Sequence, residues 1–76
     1  MIHDLDSVVL TEDLPQHGLK RGDVGTVVLE HGRQGFEVEF MTLAGETVVI
    51  VSLSPSQVRA IRKREIAHAR PLTRVS

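Results

Sequence analysis

Polar and apolar residues alternate strictly from Phe36 to Phe40, with Glu37 and Glu39 between Phe36, Val38 and Phe40. A period of two marks a strand with one dry and one wet face. The three apolar residues are therefore expected in a core and the two glutamates in water. Apolar, β-branched runs predict further strands at residues 5–11, 24–29 and 47–53, and a short one at 58–61. The run at 47–53 has no polar face, because Val48, Val49, Ile50 and Val51 follow one another. Val49, Val51 and Leu53 are expected to point inward, leaving Val48 and Ile50 outside. Ser54-Pro55-Ser56-Gln57 reads as a cap with proline at the first helical position, hence a short helical turn near residues 54–57. Residues 62–69 suit either a helical turn or a sixth strand, and Pro71 halts both.

The punctuation between the first two strands is dense. Pro15, Gly18, Gly22 and Gly25 fall within eleven residues that lead straight into a strand. Proline presets φ, and glycine admits positive φ or a close backbone approach, so residues 14–22 are expected to form a sharp corner. Gly25, early in its strand, suggests a bulge or a tight bend. His31-Gly32-Arg33-Gln34-Gly35 and Leu43-Ala44-Gly45-Glu46 read as turns.

Composition narrows the classes. Seventy-six residues make one domain near the lower limit for a self-sufficient core. No cysteine is present to supply a disulfide or a thiolate zinc site, and Phe36 and Phe40 are the only aromatics, so the core is expected to be aliphatic. No apolar run approaches the roughly 18 residues of a membrane span. The opening residues lack a basic and then apolar leader, which makes a cytoplasmic location the expectation. Charge is polarised: residues 1–58 hold nine acids against three bases, and residues 59–76 hold six bases against Glu65 alone. Either the basic end meets a partner, or it lies across the acidic part of its own chain or of a twin.

Four or five short strands, a long first loop and a helical turn before the last strand are the layout of an SH3-like barrel. Within that class the chain resembles a family of small bacterial proteins of unknown function. The residues that carry the resemblance are Asp6 to Leu10, Leu14-Pro15-Gln16-His17-Gly18-Leu19 and Gly22-Asp23-Val24-Gly25-Thr26-Val27-Val28. Phe36 to Phe40, Gln57-Val58-Arg59 and Glu65-Ile66 followed by His68 and Arg70 extend it. The resemblance implies a mainly all-β fold, a small SH3-like barrel of five to six antiparallel strands, and it implies no activity. A single domain over residues 1–70, with a frayed tail at 71–76, is expected. The Gly22 to Val28 step is also similar to the corner of KOW-type modules. Those modules bring basic and aromatic residues to RNA, whereas this half of the chain is acidic and poor in aromatics.

No catalytic, cofactor-binding or metal-binding set stands out. His3, His17, His31 and His68 are scattered without a short ligand spacing. Ser52, Ser54 and Ser56 lie around the expected cap, where hydroxyls serve backbone N–H groups. The pairs Asp4/Asp6 and Glu37/Glu39 read as solvated strand faces. His17, Lys20 and Arg21 cluster at the corner and could receive an acidic group. Arg62, Lys63 and Arg64, following Arg59, could meet phosphates in a salt-sensitive way. The reading that results is a non-catalytic protein-interaction module whose partner-binding residues are His17, Lys20, Arg21, Val48, Ile50, Arg62, Lys63 and Arg64. Its partner is another protein chain or a second copy, not a membrane. The alternatives are a KOW-like nucleic-acid-binding module and an antitoxin-like or immunity-like partner of a neighbouring toxin.

Overall fold

Five antiparallel strands form one sheet in the computed structural model, which describes residues 1–72. Residues 73–76, most of the tail expected to fray, lie outside the described residues. The strands are β1 (Ser7–Leu10), β2 (Val24–Glu30), β3 (Phe36–Met41), β4 (Thr47–Leu53) and β5 (Val58–Ala60). Their order across the sheet is β4-β3-β2-β1-β5, and the helical elements are single 3₁₀ turns. The turn at Pro55–Gln57 falls where proline and the Ser54 cap predict it: the Gln57 side chain reaches back to accept the Ser54 N–H at 2.8 Å.

One apolar cluster is fed by all five strands. It holds Val8 and Leu10, Val27, Phe36, Val38 and Phe40, Leu53 and Val58, with Leu14 and Leu19 from the corner. Because β4 and β5 are the two edges and both contribute, the sheet curls around its own inner face. Leu14 and Leu19 exchange two backbone hydrogen bonds, of 2.9 and 3.1 Å, which pin the corner over one end of that interior. Ile2, Val49 and Val51 pack against the cluster from its margin. The alternation read in residues 36–40 and the inward set of residues 49, 51 and 53 are both present.

Several boundaries differ from the expected ones. The first strand is shorter than residues 5–11, because Leu5 takes φ +70° and stands 79% exposed in a turn. Asp6 closes that turn by donating its N–H to His3 O and accepting the His3 N–H on its carboxylate. Gly25 does not carry the bulge; the register slips between Val27 and Leu29, so Val28 is the extra residue. Residues 62–69 form neither helix nor strand. The Glu65 carboxylate takes the Arg62 N–H and closes a turn at Lys63 and Arg64. Beyond it, Ile66 is 94% exposed, so the segment has no apolar stripe to bury and nothing to propagate a helix.

Gly25 has a different task. A Cβ there would sit 2.5 Å from Val38 Cγ1 and 2.9 Å from Phe40 Cε1. Those side chains fill the space a side chain at 25 would need. At Gly35, a Cβ would fall 2.1 Å from Leu53 O, and φ is +138°. β3 can start beside the end of β4 only with glycine in that place.

Two outcomes follow. Gly25→Val should destabilise the domain by about 2 kcal/mol or more through overpacking, a fall of roughly 8 °C or more in Tm; a Tm within a degree of the parent would refute the close approach. Phe40→Ala should cost about 3–5 kcal/mol, against near-neutrality for Glu39→Ala, with chemical denaturation as the measure.

Candidate functional site

The outer face of β2, β3 and β4 carries more apolar surface than the sequence pattern disclosed. Glu39 lies between Thr26 of β2 and Ile50 of β4, and Glu37 lies between Leu29 of β2 and Ser52 of β4. The two glutamates thus form a central acidic column. Around it stand Ile50 (53% exposed), Leu29 (48%), Met41, Val28 and Val48. Val48 and Ile50 are where the alternation of β4 puts them. Leu29, Val28 and Met41 were not anticipated. The bulge at Val28 interrupts the period of two in β2, so no alternation rule assigns Val28 and Leu29 to a face, whereas Met41 continues the outward set of Glu37 and Glu39 one residue beyond the expected end of its strand.

The two glutamates are half-buried rather than fully in water. Ser52 Oγ and Thr47 Oγ1 of β4 donate to Glu37 and Glu39 respectively. His31 Nε2 meets the same Glu37 oxygen at 2.9 Å. The Ser52 and His31 hydrogen bonds hold the Glu37 carboxyl below its usual range. Ser52 therefore belongs to the strand and not to the cap, and His31, Glu37 and Ser52 meet although 21 residues separate the outer two. Their geometry orders the sheet face: Ser52 Oγ and His31 Nε2 both meet one Glu37 oxygen, so the carboxylate and not the imidazole lies against the hydroxyl.

A second region forms where the corner meets the chain after β5. Arg70 places Nε on Asp23 Oδ1 at 2.8 Å and Nη2 on Asp23 Oδ2, and Nη2 also donates to Gly18 O at 3.2 Å. One tail arginine thus does lie across the acidic part of its own chain. Arg59 grips Glu65 with two guanidinium nitrogens, at 2.9 and 2.6 Å. Burial pushes Asp23 up, but the Arg70 hydrogen bonds, the Lys20 N–H and the charges of both residues together hold its carboxyl below the ordinary value. Glu65 is pulled down to about 2, first by the Arg59 hydrogen bonds and then by the Arg62 N–H.

The corner residues are separated by this arrangement. The Lys20 and Arg21 main-chain N–H groups donate to Asp23 and Asp13, each at 2.8 Å, so the corner supplies its own acids. His17 ends the 3₁₀ turn Pro15–His17. Arg21 and Arg62, 41 residues apart, line one cleft with Arg59, whereas His17, Lys20, Lys63 and Arg64 do not line it.

The pH dependence of stability has a defined sign. Asp23 and Glu65 both have depressed folded pKa values, so their contribution is complete above the ordinary carboxylate range. It is lost as pH falls through the folded values, for Glu65 between about 4.5 and 2. Arg70→Ala should lower Tm at pH 7, and the gap from the parent should narrow as the pH is taken from 5 to 3. A gap that stays constant with pH would mean that Arg70 acts by packing alone.

Among the described residues, no helix is long and apolar enough to cross a membrane, and no three or more His, Asp or Glu side chains are gathered to hold a metal ion. No curated protein and no solved structure matches the chain. The family described as "Domain of unknown function (DUF4926)" matches residues 4–60, the span that contains all five strands. The chain therefore belongs to the DUF4926 family.

Proposed function

We propose that this domain is a non-catalytic module that binds another protein through the outer face of β2, β3 and β4. The observation that carries the reading is the exposure of Val28, Leu29, Met41, Val48 and Ile50 around the Glu37 and Glu39 column. Exposed apolar surface gathered on one sheet face is the usual mark of a contact with another chain. The acidic column selects the partner's chemistry: apolar side chains flanked by lysine or arginine, which would meet the glutamates across the interface. An accessory subunit fits this description, as does the immunity-like or antitoxin-like member of a pair.

The strand order, the long first loop and the 3₁₀ turn before β5 support an SH3-like barrel. In such a barrel the inner face is filled and the outer faces are left for partners. Nucleic-acid binding has weaker support. Arg59 and Arg70 are engaged by Glu65 and Asp23, and both phenylalanines are buried, leaving no aromatic platform for bases.

Ile50→Glu and Leu29→Glu place a charge in the proposed contact without touching the core. Each should stay folded, with stability changed by less than about 1 kcal/mol, and lose association with the partner captured by the parent chain. Light scattering would identify the partner as a second copy if the parent is a dimer and both variants are monomers. Folded variants that associate as the parent does would remove this face from the proposal.

A further inference from the structure

We infer that the cleft between the corner and the end of β5 is an oxyanion site that takes the phosphate or carboxylate head of a small ligand. The cleft holds about 260 Å³ and is lined by Val9, Leu10 and Thr11 of the β1 end, Arg21 and Gly22 of the corner, and Arg59 and Arg62. Three arginines from two distant parts of the sequence converge on it. Arg21 and Arg62 have no ion-pair partner among the described residues, and both are exposed. Guanidinium forks match the paired oxygens of carboxylates and phosphates, and a wall of them favours an anion over any neutral ligand.

The wall already demonstrates this recognition on a group of its own chain. Glu65 lies on Arg59 with both carboxylate oxygens engaged, and the Arg62 N–H adds a third hydrogen bond at 2.6 Å. The donors here are thus arranged as an oxyanion requires them, and Glu65 acts as a resident competitor for Arg59. Of the carboxylates nearby, Asp13 accepts the Arg21 main-chain N–H and not its guanidinium, and Asp23, next to Gly22, is taken up by Arg70. Below the arginines, Val9 faces outward on β1, opposite Arg59 of β5 and Val24 of β2, and is nonetheless buried. Val9 makes an apolar floor, which suits a ligand with a small hydrocarbon part attached to its anionic head. The volume limits that ligand to the size of a fragment. This site is separate from the β2–β4 face and stands or falls without it.

The test is a titration of the folded domain with phenyl phosphate, benzoate and neutral benzyl alcohol at matched ionic strength, followed by amide chemical shifts. Saturable shifts at Val9, Thr11 and Gly22 with one or both anions, and none with the alcohol, are expected. The stronger of the two anions names the head group. Arg21→Ala and Arg62→Ala should each weaken binding about tenfold, Arg33→Ala should leave it unchanged, and Glu65→Gln should tighten it by releasing Arg59. Melting curves confirm that each variant is folded. Shifts scattered over all exposed lysines and arginines, or equal affinity in the Arg21→Ala and parent chains, would overturn the site.

Discussion

Where β1 lies beside β2, Val8 faces Gly25, and the bare backbone at that glycine lies against Val38 and Phe40 of β3. A domain of this size has one interior, and it is filled to native density only if β1, β2 and β3 bring their inner side chains into the same space. A side chain at position 25 would claim the volume that Val38 and Phe40 occupy. Its absence lets both of these large residues be buried while β2 stays paired on both edges. The register of β1 on β2 and of β2 on β3 is compatible with one core for that reason, and the position of every outward residue follows from that register.

The electrostatic layout is a second, looser constraint. The nine acids of residues 1–58 are not neutralised uniformly by the basic end; instead, single arginines take specific carboxylates. Arg70 reaches Asp23 and Gly18 at the corner, and Arg59 holds Glu65. These contacts tie an irregular segment to the sheet without a ladder of backbone hydrogen bonds. Partly exposed ion pairs contribute little each, so the two-pronged geometry matters more for where the segment lies than for how firmly the domain holds together. Arg62, Lys63 and Arg64 are left facing solvent.

Both proposed functions lie on the surface of the fold. The interior is taken up by aliphatic side chains and two phenylalanines, with no buried polar or charged residue among those described. The two surface features with chemical character lie on different parts of the sheet. One is apolar with an acidic centre, on β2, β3 and β4. The other is a cationic cleft over the end of β1. The two proposals differ in what each surface would select, an extended partner surface for the first and a small anion for the second.

Much of this was legible in the residues themselves. The alternation at Phe36 to Phe40, the cap at Ser54, the proline and crowded glycines of the corner and the inward set Val49, Val51 and Leu53 each follow from local rules of strand, turn and cap. Those rules act over a few residues and so can be read from a few. They also exposed Val48 and Ile50, two of the five residues of the apolar face. Tertiary structure decided the rest. The bulge at Val28 turned Leu29 outward, and the register brought His31, Glu37 and Ser52 onto one carboxylate. Arg21 came beside Arg59 and Arg62 only because the corner folds back over β1, and the chain after β5 ran to Asp23 rather than forming a sixth strand. Contacts between residues about 40 positions apart depend on how strands pair and curl, and no short-range pattern encodes that pairing.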